Sequence, residues 1–228
     1  MHFGEYLWAG SSITKGLYHL NWNANDSSGN SNNWTSTNVT WVNGKFWQCA
    51  SFTGNGYITT SWGHGYTMGG DYTMSARIKL NALPSNWQYQ FAVSIRESTN
   101  ISSFDIMIAK ESNINKIYYG RWMTNVDSWN SVNYTVEANK WMLLTTTQDS
   151  TNCYLYLNGA LIASDLKKTW NWAFYLGNEL WIWDWPGLHT WFDWMVDEVI
   201  CEPRRWTAEE IKKYYTYTQW KFWILNQE

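Results

Sequence analysis

From Tyr72 to Leu80 the chain alternates without a break: Tyr72, Met74, Ala76, Ile78 and Leu80 fall on one side, Thr73, Ser75, Arg77 and Lys79 on the other. A period of two marks a strand with one face turned to a core. Similar runs predict strands over residues 16–20, 48–52, 57–60, 89–95, 104–109, 116–123, 132–136, 141–147, 154–157, 173–176 and 195–201. Asn158-Gly159, directly after Tyr154-Leu155-Tyr156-Leu157, predicts a hairpin, because both residues accept positive φ. Asn43-Gly44 and Asn55-Gly56 repeat the device. Short strands at near-regular spacing predict an all-β fold, a two-sheet antiparallel β-sandwich or jelly roll.

One segment departs from that period. Thr207-Ala208-Glu209-Glu210 is a capping box, in which the Thr207 hydroxyl and the Glu210 carboxylate close a first helical turn. Ile211, Tyr214 and Tyr215 follow at helical spacing, so the pattern predicts one short C-terminal helix ending near Tyr215. Packed on the sandwich edge, it would use its aromatics as core contacts.

Length and charge narrow the classes. With 228 residues, 3 prolines and no linker-like stretch, one domain is expected: a 1–13 extension, a 14–218 body and a 219–228 tail. Lys and Arg total 16 against 19 acids, with no basic stripe of the kind a nucleic-acid binder carries. No apolar run is long enough for a membrane span. The N-terminus lacks a secretory layout, so the chain is expected either to stay inside or to be a piece of a longer exported chain. Cys49, Cys153 and Cys201 are too few for a disulfide scaffold and read as buried thiols, with a Cys49–Cys201 bridge the alternative. Sequons at Asn25, Asn33, Asn38, Asn100 and Asn133 matter only in a eukaryotic secretory pathway.

Four ordered pieces resemble a laminin-G-like, concanavalin A-like jelly roll. Gly16-Leu17-Tyr18-His19-Leu20-Asn21, with the loop Asn23-Ala24-Asn25-Asp26-Ser27-Ser28-Gly29-Asn30, is similar to the family's opening. Val42-Asn43-Gly44-Lys45-Phe46, leading to Cys49-Ala50-Ser51-Phe52, is similar to its second strand and turn. Residues 72–79, with Trp141, Asp149 and the hairpin at Asn158-Gly159, form the third piece. Phe192-Asp193, Val196-Asp197-Glu198-Val199, Arg205 and the capped helix form the fourth. The resemblance implies a non-catalytic carbohydrate-binding or adhesion module of a larger surface, secreted or phage protein. Its ligand, a glycan or glycoprotein, would rest on the concave sheet and rim loops. The alternative is a structural or protein-interaction module, and more remotely a glycoside hydrolase.

Tryptophan is the abnormal number, at 20 residues. Trp22, Trp34, Trp47 and Trp194 stand where the family has glycine, and a turn at positive φ takes a bulky residue only at a cost. Some bacterial lineages read UGA as glycine and others as tryptophan, so the pattern is what translation with the other table produces. Trp220 and Trp223 join this set, with Trp172, Trp181, Trp183 and Trp185 weaker members, whereas Trp41, Trp141 and Trp206 fit as true tryptophans. TGG codons at Trp22, Trp47 and Trp194 would end the idea.

The chemistry is sparse. Glucanases on this fold need two carboxylates facing one cleft. Asp105 has no carboxylate two residues to either side, and Asp197 and Glu198, being adjacent, are expected on opposite faces of a strand. A Ca2+ site is implied by the resemblance, with Asp26 and Asn30 of the opening loop meeting Asp197 of the closing strand. The alternative is that Asp26 caps its own Asx-turn and Asp197 pairs with an arginine. For sugar, Arg77, Tyr119 and Arg121 are the candidates, with Tyr119 and Arg121 sharing a face beside Tyr118 and Trp122. The segment from Trp181 to Gly187 is a candidate aromatic loop.

Overall fold

A computed structural model describes residues 14–60, 71–86, 88–96, 102–123, 130–166, 179–182 and 192–225. In chain order the strands are β1 (Gly16–Tyr18), β2 (Trp34–Asn43), β3 (Gln48–Thr60), β4 (Tyr72–Leu80), β5 (Gln88–Arg96), β6 (Ser102–Glu111) and β7 (Ile114–Met123). β8 (Asn130–Asn133), β9 (Trp141–Gln148), β10 (Asn152–Leu157), β11 (Ala160–Leu166), β12 (Glu179–Ile182) and β13 (Phe192–Glu202) follow, then helix α1 (Ala208–Leu225).

All pairings are antiparallel, in the order β11-β10-β9-β4-β13-β3-β12-β5-β6-β7-β8. That single path folds into two layers, and β3 is where it turns. The first half of β3 pairs with β13 through Ala50–Gly54, and its far end pairs with β12 at Ile58 and Thr59. Between them β2 and β3 slip register: Thr37 faces Tyr57, but Val39 faces Phe52. Asn55-Gly56 therefore makes a bulge inside one long strand, not the predicted turn between two. Gly56 is required there, because a Cβ would stand 2.6 Å from the Asn38 carbonyl oxygen.

The core lies between the layers. Tyr18, Phe52, Met74, Ile78, Val196 and Leu155 of one layer meet Ile106, Ile117 and Tyr119 of the other. The inward set of β4 is the one its alternation predicts. At Asn158-Gly159 both φ angles are positive, at 51° and 80°, as the hairpin requires. All three cysteines are buried and free.

The outer face of the β1-β13-β4-β9-β10 layer is covered as well. Leu17, Leu143, Tyr156 and Ile200 pack with Trp206, Ile211 and Tyr214. The helix thus lies on a face rather than at an edge, and it runs to Leu225 instead of ending near Tyr215. The capping box forms as predicted: the Glu210 N–H donates to Thr207 Oγ1 at 3.2 Å and the Thr207 N–H to Glu210 Oε2 at 2.7 Å. Arg205 clamps this end, 2.9 Å from Asp149 Oδ2 and over the Tyr154 ring. Two of the four family-like pieces meet in that clamp.

Candidate functional site

β13 changes neighbour halfway along. Its Val199–Cys201 end pairs with β1 and its Phe192–Val196 end with β3. β1 and β3 are therefore collinear, and Asp197-Glu198 stands opposite the gap between them. The ladder to β4 slips here, between Asp197 and Ile200, and Glu198 adopts φ 51°.

Two loops fill the gap. His19, just past β1, places Nδ1 2.9 Å from Glu198 Oε2. The β2–β3 turn sends the Lys45 N–H to Asp197 Oδ2 at 3.2 Å. The Gln48 N–H donates to Asn21 Oδ1 at 3.3 Å, tying the loops together, and Gln48 Nε2 donates to Asn43 Oδ1 at 3.0 Å. Trp22 and Trp47 flank that tie, 64% and 55% exposed. Sequence patterning cannot reveal this junction, because it is made by two chain ends that meet only through a third strand.

The opening loop is built around Asp26. Its Oδ1 accepts the N–H groups of Leu17 and Ser28, and its Oδ2 accepts the Ser28 hydroxyl and the Asn32 N–H. Asn30 Nδ2 donates to the Thr14 carbonyl and to Ser28 Oγ. Both carboxylate oxygens are satisfied by the loop itself. Asp197 lies three residues along β13 from Ile200, the partner of Leu17, and its bonds go to the other loop. The hydrogen bonds of Asp26 and Asn30 stay within the opening segment, whereas that of Asp197 runs to the β2–β3 turn. Among the described residues no cluster of three acidic, histidine or cysteine side chains could hold a metal.

Arg77, opposite Asp197, is 1% exposed and presents nothing to a ligand in solvent. Its guanidinium donates to Thr218 Oγ1 of α1 and lies over the Phe46 ring. Burial lowers its pKa, opposed by Tyr214, Glu198 and Asp197. Burial, then the charge of Glu198, holds the Asp197 carboxyl well above the usual carboxylate range. Both carboxylates act on Arg77, so the bulge places Asp197 and Glu198 in one neighbourhood and corrects the expectation of opposite faces. Both are buried.

Tyr119 is also fully buried, and its hydroxyl donates to Asp165. Burial and that bond push its phenol pKa up. Arg121 lies on β7 opposite Phe104, and its side chain is outside the described ones. Met107, Ala109 and Tyr118 alternate with core positions on β6 and β7, yet they too are buried. Residues 173–176 and the predicted aromatic loop from Trp183 onward lie outside the described residues.

A family model described as the concanavalin A-like lectin/glucanases superfamily matches residues 52–212. No curated protein sequence matches the chain. Among solved structures, a botulinum neurotoxin type C chain, whose passage into cells depends upon interaction with two ganglioside molecules, aligns with TM-score 0.69 and 16% identity. The alignment covers 90% of this chain and 50% of that one. The binding domain of botulinum neurotoxin DC in complex with SialylT gives 0.67 and 14%, covering 90% and 51%. The same domain in complex with rat synaptotagmin II gives 0.69 and 16%, again covering 90% and 51%. At these identities the likeness shows the fold, and the chain spans about half the length of those solved chains.

Proposed function

The chain belongs to the concanavalin A-like lectin/glucanases superfamily, and from that premise we propose that it is a non-catalytic carbohydrate-binding or adhesion module acting outside the cell. One observation carries the reading. The Asp26 carboxylate fixes an asparagine-rich loop through four hydrogen bonds, and Asn23, Asn25 and Asn33 are displayed on it in exposed positions. Amide side chains both donate and accept, as hydroxyl-rich ligands require, and a loop held rigid in advance loses little entropy on binding.

The solved neighbours support this, since two of them are binding domains seen with SialylT or rat synaptotagmin II. This chain spans about half their length, so those contacts are theirs and not this chain's. The second reading, a protein-interaction module, is favoured by the synaptotagmin complex of one neighbour.

Binding of the wild-type chain to an array of neutral and sialylated oligosaccharides tests the proposal. Reproducible signal on a defined glycan class supports it. A blank array would leave the protein-interaction reading standing, and hydrolysis of a soluble β-glucan would overturn the non-catalytic one.

A further inference from the structure

We propose that Trp22 and Trp47 form a two-ring stacking platform for a pyranose oligosaccharide at the junction of β1 and β3. The proposal rests on the carbohydrate-binding reading above and on tryptophan codons at both positions, so that TGA at either would overturn it, and names the residues that would carry it.

Trp22 has φ 67°, a conformation that costs a bulky residue and suits glycine. Burial does not compensate, because the residue is 64% exposed. A strained backbone that holds a large ring in solvent contributes nothing to the core; such strain persists where a ligand uses the side chain. Trp47 is the second ring, 55% exposed on the facing loop.

The Asn21–Gln48 hydrogen bond sets their spacing. With ordinary bond lengths, the two tryptophan Cα atoms can stand no more than about 13 Å apart. The amides of Asn21, Asn43 and Gln48 are tied to one another at the junction, and Asn23 follows Trp22 along the chain. A pyranose offers a C–H face to the negative face of an indole and hydroxyls at its edge. Rings together with amides match that division, whereas an apolar partner would need a continuous apolar patch. Asp197 and Glu198 are buried beneath the loops.

Trp22→Gly and Trp47→Ala, run beside the wild type on the same array of neutral and sialylated oligosaccharides and melted in parallel, test the platform. The expected result is a loss of at least roughly tenfold in glycan signal for each variant. Trp22→Gly should at the same time melt several degrees higher, because glycine relieves the positive φ. Signal retained in both variants would overturn the platform while leaving carbohydrate binding intact, and no signal for the wild type would remove both. A lower melting temperature for Trp22→Gly would overturn the strain argument on which the first ring rests.

Discussion

Arg77 and Asp197 face each other across the β4–β13 ladder, each 1% exposed, and among the described residues neither Arg77 Nε nor Asp197 Oδ1 has a hydrogen-bond partner. An unsatisfied buried polar atom costs about 1–3 kcal/mol. The cluster is tolerated because α1 and the β2–β3 turn supply Thr218, Phe46 and the Lys45 N–H around it.

Asp197 makes stability depend on pH in an unusual direction for a carboxylate. Its folded pKa is raised by burial first and then by Glu198, so the folded chain holds a proton that the unfolded chain releases near 3.8. That contribution is complete below the unfolded value and is lost as pH climbs through the raised folded value. Asp197→Asn removes it. The melting temperature of this variant should fall less than that of the wild type as pH rises above about 4. Parallel melting curves across that range would contradict the assignment.

Asp26 is the anchor of the opening loop. Asp26→Ala leaves the N–H groups of Leu17, Ser28 and Asn32 without their acceptor, and denaturant unfolding should show a loss of about 2–4 kcal/mol. Because the carboxylate is satisfied by its own loop, excess calcium should leave the wild-type melting temperature unchanged. A calcium-dependent rise that disappears in Asp26→Ala would reinstate the loop as a cation site.

Trp194 separates the tryptophans by burial. It is 1% exposed, with its ring centroid 5.8 Å from that of Phe52. In this core Trp194→Gly should cost about 3–5 kcal/mol, the opposite sign to Trp22→Gly. Trp34 is likewise buried, stacked on Tyr18 at 3.6 Å. A more stable Trp194→Gly protein would mean that glycine, not tryptophan, belongs at that position, and the codon there would read TGA.

Local signals carried most of the architecture. The alternation of residues 72–80, the Asn158-Gly159 turn and the Thr207–Glu210 capping box are short-range and appear where expected. β2 was not predicted, because its alternate residues are largely exposed polar ones and the run has little apolar face to read. The Asn55-Gly56 turn chemistry was real, but it bends one strand between layers, which only long-range pairing can show. Arg77 and Tyr119 were legible as unusual strand residues, yet composition could not say that α1 and Asp165 enclose them. The junction residues Trp22 and Trp47 were flagged by sequence for their misfit to glycine positions. Their common exposure next to the Asn21–Gln48 bond depends on β13 and is not legible in the sequence.

The most direct test of the account is protection of tryptophan from oxidation. The protein is treated with N-bromosuccinimide, alone and with a saturating array-positive glycan, and each tryptophan peptide is followed by mass spectrometry. Among the described tryptophans, Trp22 and Trp47 should oxidise fastest in the free protein and become protected when glycan is bound, while Trp194 and Trp206 remain unreactive throughout. Equal oxidation of Trp22 and Trp47 with and without bound glycan would contradict the claim that this junction is where the protein meets its ligand.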